Sequence, residues 1–387
     1  MRSVSVIGAG MTKFGDHWER SFRDLIVEAG VKAVADARIE GSDIEAIYGG
    51  CMASGKLISQ EHIGALIADQ MGLNPIPSTR VEAACASGGV ALRQAYLAVA
   101  SGAFDVVAVG GVEKMTEVST EEVALALGGA GDQEWELFQG TTFPALYALM
   151  ACRHMKEYGT TEEQMALCAV KNHANAVHNP NAQFQKAIKL EDVMESGYIA
   201  EPLKLLDCSP ITDGAACVIL AASDKAKKYC DSPVEIIGSA QASDTLALAQ
   251  RATLTSLRAT REAAAAAYAQ AGITAKDVDL AEVHDCFTIN EILAIEDLGF
   301  FPKGKGGKAV EEGETQLNAK ITVNASGGLK AKGHPVGATG VAQAVEVFWQ
   351  LQGRAEKRQV KDAEIGLTHN VGGSGATAVV HVFRRLD

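Results

Sequence analysis

The sequence is poor in aromatic residues, in proline and in positive charge. Aromatic side chains make up 5% of the 387 residues, and there are 9 prolines. Lys and Arg total 35 against 48 Asp and Glu, a net charge of −13. Nucleic-acid binding relies on dense basic surfaces, so this balance argues against such a partner. With 47% hydrophobic residues the chain excludes disorder, and its length predicts two or three domains.

Long apolar runs and paired cysteine motifs are also missing. No uninterrupted apolar run approaches the roughly 18 residues of a membrane span, and the chain reaches Gly8 before a secretory apolar segment forms. We therefore expect an unexported, cytoplasmic protein with no membrane partner. The eight cysteines include no Cys-x-x-Cys pair, so neither a zinc ribbon nor a dithiol motif is indicated. We expect reduced thiols, most of them small core residues.

A faint repeat relates the two halves of the chain. Each half has a short apolar strand, an Ala-rich helix, a strand opening on Asp and a small-residue turn, at 4–9, 21–39, 43–48 and 81–89, and again at 234–239, 256–273, 277–283 and 323–328. Strands that alternate with helices of ten or more residues indicate parallel sheets covered by helices. The sequence therefore predicts a duplicated α/β fold.

The residues between the two repeats divide the chain further. We assign 1–117 and 208–225 to the first half and 232–387 to the second. The segment 118–207 has no counterpart in the second half, and it is predicted to be an inserted loop domain that binds substrate, because loops converge at the carboxyl edge of parallel strands.

Cys85 is the candidate nucleophile. The predicted strand 81–84 runs into it, and the small residues 86–89 then open the predicted helix 90–100. A helix N-terminus lowers a thiol pKa and stabilises the thiolate. An isolated cysteine is more often a buried structural residue. Other residues of catalytic types also follow predicted strands in this chain, so we favour a catalytic role for Cys85.

Three further motifs follow predicted strands in the second half. His334, fixed between Gly333 and Pro335, is placed to deprotonate a thiol or to bond a thioester oxygen. His284 and Cys286 end the strand 280–283, and strand alternation points both side chains the same way. The adjacent Asp285 makes a metal site conceivable, but consecutive strand residues do not converge on one ion, so no metal is predicted. The glycines after His369 and Asn370 free backbone N–H groups for an oxyanion.

Two nucleotide-like motifs fail. Gly8-Ala9-Gly10 lacks the third glycine of a dinucleotide fingerprint, because Lys13 stands there. The run 303–308 resembles a phosphate loop, but Ala309 replaces the required Ser or Thr, and we interpret it as a solvated basic loop.

Taken together, these motifs resemble the thiolase superfamily over essentially the whole chain. The family's nucleophile motif matches 85–89, its Gly-His-Pro motif matches 333–335, and its Gly-Gly-x-Glu-x-Met turn matches 110–115. The resemblance implies a layered α/β/α/β/α arrangement of two mixed sheets. It also implies CoA thioesters as substrates and no cofactor.

Two departures narrow the subfamily. His284-Asp285-Cys286-Phe287 stands where many biosynthetic thiolases have Asn-Glu-Ala-Phe, and Asn370 stands where they have a second catalytic cysteine. Both features resemble sterol-carrier-protein-type and archaeal thiolases. The absence of a sterol-carrier extension after Asp387 makes archaeal acetoacetyl-CoA thiolases the nearer likeness.

The resemblance implies a two-step acyl transfer between two molecules of acetyl-CoA. Cys85 would take the acetyl group, Cys286 the α-proton, and His284 and His334 would hold the enolate oxygen. The donors to the acyl oxygen would be the N–H groups of Cys85 and Gly372. Ser209 would contact pantetheine and Phe287 would wall the pocket, although each suits a turn or a packing role equally well.

The same likeness implies acetyl-CoA, acetoacetyl-CoA and CoA as ligands, a homodimer or homotetramer, and a place in the mevalonate route to isoprenoids. It also implies hydroxymethylglutaryl-CoA synthase and a small zinc-ribbon scaffold as protein partners.

Three other functions stay open. A degradative 3-ketoacyl-CoA thiolase would differ in pocket depth. The insertion's aromatic residues either shorten that pocket or form a domain core, namely Trp135, Phe138, Phe143 and Tyr147. A ketosynthase-like enzyme would use Cys85, His334 and Asn370. A scaffold or lipid-binding protein would form no acyl-enzyme.

Overall fold

A computed structural model describes residues 2–386. Their strands are β1 (Val4–Met11), β2 (Ala46–Gly50), β3 (Ser78–Val81), β4 (Val106–Glu113), β5 (Tyr198–Ala200), β6 (Leu203–Lys204), β7 (Gly214–Ala222), β8 (Val234–Ser243), β9 (Leu280–Glu282), β10 (Thr322–Val323), β11 (Ile365–Gly372) and β12 (Thr377–Arg385). Their α-helices are α1 (Phe22–Ala37), α2 (Ser54–Leu57), α3 (Ile63–Gln70), α4 (Ser87–Ala100), α5 (Thr120–Gly128), α6 (Phe143–Tyr158), α7 (Glu162–Ala176), α8 (Leu190–Met194), α9 (Ser223–Ala226), α10 (Arg258–Ala271), α11 (Thr288–Asp297), α12 (Gly306–Glu311) and α13 (Thr339–Leu351). A π-helical turn covers Gly328–Lys332. Among these helices, none is long and apolar enough to cross a membrane.

The two halves share one strand order. The first half is ordered β1-β7-β4-β2-β3 and the second β8-β12-β11-β9-β10. In both, the first three strands are antiparallel neighbours and the last three are parallel. β1 and β8 meet through two residue pairs, Ser5 with Glu235 and Val6 with Val234, which join the halves edge to edge. The predicted duplication is therefore confirmed.

The layers follow from which faces the helices cover. The ten strands of the two halves form one continuous sheet, and α4 and α13 lie between these halves in a core that both halves share. α1 packs on the outer face of the first half, and α10 and α11 pack on the outer face of the second. This is the predicted α/β/α/β/α order, and it places the starts of α4 and α13 at the centre of the molecule.

The first strand and helix explain the glycines near the N-terminus. Ser21 caps α1 in a capping box with Asp24, which fixes where the helix begins. A Cβ atom on Gly8 would lie 2.5 Å from the Ala37 Cβ, and one on Gly10 would lie 2.5 Å from the Lys32 Cβ. The glycine pair therefore serves close packing of α1 on β1.

Several predicted boundaries are wrong in ways that affect the site. β3 ends at Val81, so a turn separates it from Cys85, and α4 begins at Ser87 rather than at Val90. β9 ends at Glu282, which leaves His284 and Cys286 in a loop. β11 continues through His369 and Asn370 to Gly372, because its antiparallel pairing with β12 extends to the glycine turn.

Residues between β4 and β7 form α5 to α8 with the β5–β6 hairpin. α7 packs against the π-helical turn and against α11 and α12 of the second half. That these residues act as a separate substrate-binding domain stays a prediction. The run 303–308 is not a free loop: Lys303 pairs with Glu296 and Asp297, and α12 begins at Gly306.

We expect Gly111→Ala to lower the free energy of unfolding by about 1–3 kcal/mol, because overpacking a close contact costs about that much. Its Cβ would overlap the Gly337 carbonyl oxygen and lie 2.8 Å from the Ala338 Cα. Gly110→Ala is the matched control, since its Cβ would meet only the Ala216 carbonyl at 4.0 Å. Urea denaturation of both variants tests this, and equal stabilities would contradict it.

Candidate active site

Cys85 lies in a tight turn directly before α4. Ala84 adopts a left-handed conformation with φ of 53°, which turns the chain sharply after β3. The Ser87 hydroxyl donates to the Ala84 carbonyl and accepts from the Ala83 N–H, which closes the turn. Cys85 is therefore held at the helix N-terminus, as predicted, with its thiol facing a cavity.

His334 reaches the same cavity from the loop before α13. Its backbone N–H donates to Thr212 Oγ1 at 3.0 Å, and its ring Nδ1 lies 2.7 Å from Thr339 Oγ1. The side chain is buried. Burial lowers the pKa of His334 to about 3, because it penalises the charged imidazolium, so the ring is neutral at physiological pH.

His284 stands behind His334 and is fully buried. The two rings meet edge to face with centroids 5.0 Å apart. His284 Nδ1 lies 3.1 Å from the Asn370 side-chain nitrogen, whereas its Nε2 has no hydrogen-bond partner among residues 2–386. One ligand atom each from Cys85, His284 and His334 lie within 4.8 Å of one another. The structure thus brings together three of the predicted residues.

Cys286 lines the cavity with Cys85 and His334. Asn290 of α11 places its side-chain nitrogen 3.9 Å from the Cys286 sulfur, and the Ser209 N–H donates to the Cys286 carbonyl at 2.9 Å. That His284 and Cys286 serve one site stays a prediction, because His284 is outside the lining of this cavity. Its reason was wrong, because a loop after β9 and not strand alternation carries them.

The predicted substrate-binding residues Ser209 and Phe287 also line the cavity. The Phe287 ring lies 4.7 Å from the Tyr147 ring, centroid to centroid. The aromatic residues of the insertion are divided between two environments. Phe143 and Tyr147 line the cavity, but Trp135 and Phe138 are 70% and 79% exposed and lie outside its lining.

Gly372 is buried at the end of β11 and does not line the cavity. The next residue, Gly373, does line it, and a hydrogen bond from the Gly373 N–H favours the Cys85 thiolate. The structure therefore adds Gly373 to the candidate oxyanion donors. The role of Gly372 stays a prediction.

The thiols of the site are neutral. Burial raises the pKa of Cys85 to about 12, although the Gly373 N–H acts in the opposite direction. Burial also raises the pKa of Cys286 well above its usual range, and the nearby Cys85 adds to the shift. The predicted lowering of the Cys85 pKa by the helix N-terminus is wrong, because desolvation outweighs it.

A Cys-His-His set is a reasonable zinc ligand set by residue type. A metal-bound histidine normally donates its other ring N–H to an acceptor. The second nitrogen of His284 instead accepts from the Asn370 amide. The three residues therefore do not fit a metal centre.

Two buried groups that support the site were missed by the sequence analysis, and the role of a third, Glu113 of the motif at 110–115, was not predicted. Thr339 holds the His334 ring and Asn290 holds the Cys286 loop. Glu113 accepts from the N–H groups of Met52 and Gly337, at 2.8 and 3.1 Å. Their spacing in the sequence could have identified Thr339 and Asn290. Thr339 lies four residues after Pro335 and Asn290 four residues after Cys286, each in the first turn of a helix.

Comparisons with known proteins agree over the whole chain. Residues 4–224 match the family model described as thiolase, N-terminal domain, and residues 240–385 match the thiolase C-terminal domain-like model. The acetyl-CoA acetyltransferase of Methanothermobacter thermautotrophicus is 60% identical over 385 residues, covering all of both chains. Bovine sterol carrier protein 2 is 37% identical and covers 97% of this chain and 71% of its own.

A solved structure, the Ltp2-ChsH2(DUF35) aldolase, superposes with a TM-score of 0.85 at 27% identity, covering 98% of this chain and 97% of that one. The first half of the chain thus matches the N-terminal thiolase domain and the second half matches the C-terminal one. The same chain has the repeated strand order, the paired central helices and the cysteine–histidine cavity. The chain belongs to the thiolase family.

Proposed function

We propose that this thiolase is an acetyl-CoA C-acetyltransferase, which joins two acetyl-CoA molecules into acetoacetyl-CoA and CoA by a reversible Claisen condensation. The observation that carries the proposal is the meeting of Cys85, His284 and His334 within 4.8 Å beside a cavity that Cys286 also lines. The name of the relative at 60% identity supports acetyl-CoA as the substrate.

In the first half-reaction the Cys85 sulfur attacks the thioester carbon of acetyl-CoA. Both the thiol and the imidazole are neutral at rest, so the Cys85 proton passes to His334 as the sulfur–carbon bond forms. The bond to the CoA sulfur then breaks. The Cys286 thiol gives its proton to the departing CoA thiolate, which leaves acetyl-Cys85 and a Cys286 thiolate.

In the second half-reaction a second acetyl-CoA loses its α-proton to the Cys286 thiolate. The enolate oxygen accepts hydrogen bonds from His284 and from His334, which now carries the Cys85 proton. The enolate carbon attacks acetyl-Cys85, and the new carbon–carbon bond replaces the bond to sulfur. Cys85 recovers its proton from His334, so the enzyme returns to its neutral state with Cys286 protonated.

The acyl oxygen on Cys85 needs donors of its own. The backbone N–H groups of Cys85, Gly372 and Gly373 are the candidates, and removing one such donor costs about two to three orders of magnitude in rate. Ser209 and Phe287 line the approach and serve to hold the pantetheine arm and to close the pocket. No cofactor takes part, since both substrates are CoA thioesters.

The degradative alternative uses the same residues in reverse on longer chains. The bulky lining by Phe143, Tyr147 and Phe287 favours short acyl groups instead. The ketosynthase-like alternative has less support, because the Asn370 side chain already forms hydrogen bonds with Gly89, Cys85 and His284. A scaffold or lipid-binding role would leave the convergence of four reactive side chains without use.

We place this activity at the entry to the mevalonate route to isoprenoids, in the cytoplasm, in a homodimer or homotetramer. Hydroxymethylglutaryl-CoA synthase and a zinc-ribbon scaffold are the protein partners we propose. The two-part name of the Ltp2-ChsH2(DUF35) aldolase supports a second subunit of some kind.

We expect Cys286→Ala to slow the first half-reaction and to abolish the second. A CoA thiolate can leave without a proton from Cys286, whereas the α-proton is removed by the Cys286 thiolate. The variant still forms acetyl-Cys85, seen by intact-protein mass and peptide mapping, but it no longer condenses acetyl-CoA or exchanges methyl protons with deuterated water. Cys85→Ala, the comparison variant, forms no acetyl-enzyme. Condensation by Cys286→Ala near the parent rate would overturn the assignment.

We expect a preference for acetoacetyl-CoA over a long-chain 3-ketoacyl-CoA of at least tenfold in kcat/KM for thiolysis. The lining side chains limit the length of the acyl group. Phe143→Ala is expected to reduce the ratio of the two kcat/KM values. Phe138→Ala, at an exposed ring outside the cavity lining, is expected to leave this ratio unchanged. Similar kcat/KM for both substrates in the parent would favour the degradative alternative.

A further inference from the structure

Each neutral histidine in the site has one ring nitrogen that donates and one that accepts. Which nitrogen carries the proton decides whether the ring can take a proton from a thiol or donate a hydrogen bond to an oxygen. The hydrogen-bond partner of Nδ1 decides this for both His284 and His334.

The orientation of the Asn370 amide is fixed by two backbone groups. The Gly89 N–H, which only donates, lies 3.2 Å from Asn370 Oδ1. The Cys85 carbonyl, which only accepts, lies 3.0 Å from Asn370 Nδ2. Exchanging the amide oxygen and nitrogen would set donor against donor and acceptor against acceptor. Asn370 therefore presents its nitrogen, a pure donor, to His284.

That nitrogen lies 3.1 Å from His284 Nδ1, so Nδ1 has to accept. The single proton of the neutral ring is then on Nε2. Nε2 is buried and has no partner in the described residues. A buried donor without a partner is costly, because nothing replaces the water that it gave up. A substrate oxygen at this point removes that cost.

His334 is held the other way. Its Nδ1 lies 2.7 Å from Thr339 Oγ1, and the Thr339 hydroxyl donates its one hydrogen to the Pro335 carbonyl at 3.1 Å. The hydroxyl oxygen accepts from Nδ1–H, which leaves a lone pair on Nε2. His334 is therefore the ring that can take the Cys85 proton.

We propose that Asn370 is a positioning residue that locks His284 in the Nε2–H form, opposite to His334, so that His284 is a permanent hydrogen-bond donor to the substrate oxygen. This role rests on the proposed function and assigns a use to the amide that stands where other thiolases have their second cysteine. His284 is then unsuited to act as the base, which leaves the α-proton to Cys286.

The first test is direct observation of the tautomers. Long-range proton–nitrogen NMR correlations of the 15N-histidine-labelled enzyme distinguish Nδ1–H from Nε2–H rings, and His284→Gln and His334→Gln spectra assign the signals. We expect His284 as Nε2–H and His334 as Nδ1–H. A wild-type spectrum with His284 protonated on Nδ1 would overturn the proposal, whatever the enzyme's activity.

The second test is Asn370→Asp. Its second oxygen accepts instead of donating, so we expect the His284 proton to move to Nδ1. Condensation should fall about 100- to 1,000-fold in kcat, the cost of one oxyanion donor. This loss should exceed the slowing of Cys85 acetylation, which the lost hydrogen bond from the amide to the Cys85 carbonyl also causes. Asn370→Asp with an unmoved proton and near-parent kcat would contradict the proposal.

Gln343→Glu is the matched control for a carboxylate introduced into the same layer. Gln343 is buried on α13, and its side-chain nitrogen donates to the His369 carbonyl at 3.0 Å rather than to His284. We expect its His284 signals to match those of the parent. If Gln343→Glu shifts the His284 proton as Asn370→Asp does, the effect belongs to the buried charge, and the assignment to Asn370 fails.

These tests separate the two proposals. A spectrum with the expected tautomers in a protein that forms no acetyl-Cys85 rejects the acyltransferase function but leaves the role of Asn370 in orienting His284 intact. An active acetyltransferase in which His284 is protonated on Nδ1 rejects the role of Asn370 but supports the acyltransferase function. If Asn370→Asp does not fold, the wild-type spectrum alone decides.

Discussion

The site depends on how closely the starts of α4 and α13 approach. A Cβ on Gly88 would lie 3.1 Å from the Val341 nitrogen, and one on Gly340 would lie 2.7 Å from the Gly89 Cα. Only glycine leaves room for these backbones to touch, since such contacts are closer than side chains allow. Because Cys85 precedes one helix and His334 the other, this contact sets the distance between the proposed nucleophile and the proposed base. The Gly89 N–H, in the first turn of α4, has no acceptor within the helix and bonds Asn370.

Duplication of the fold accounts for the two central helices, α4 and α13. The loops that precede these two helices differ in length. Five residues, 82–86, join β3 to α4, whereas fifteen residues, 324–338, join β10 to α13. The longer connection contains the π-helical turn and carries His334 across to Cys85. Buried carboxylates hold it in place: Asp285 accepts from the N–H groups at the start of the π-helical turn, and Glu113 accepts from Gly337. The equivalent sheet edges of the two halves thus carry different residues of the site, Cys85 in the first half and His334 in the second.

Sequence reasoning predicted the fold class, the repeat and four side chains that do meet, because these depend on local periodicity and on residue type at strand ends. It did not predict the hydrogen-bond partners. Thr339 and Asn290 are ordinary first-turn residues by sequence, and their role depends on which buried group a distant segment presents. Trp135 and Phe138 show the opposite error: aromatic residues in the insertion were expected near the substrate or in a core, and both are exposed. The direction of the Cys85 pKa shift failed for a related reason. A helix N-terminus is visible in the sequence, but the degree of burial that outweighs it is not.

The neutrality of the site explains why hydrogen-bond direction carries so much of its function. Burial disfavours charge on both thiols and on both rings, so no group is a ready-made ion before substrate arrives. In the proposed reaction, charge then develops only as protons move between neighbours, from Cys85 to His334 and from Cys286 to the leaving CoA thiolate. In such a setting a fixed N–H is worth more than in water, because the low dielectric strengthens its interaction with a forming oxyanion and no solvent has to reorganise. A cysteine at position 370 would offer a second proton carrier there; the amide instead offers a donor that never titrates. On the roles we propose, the chain therefore places its proton carrier on the Cys286 loop and uses the strand position to orient His284.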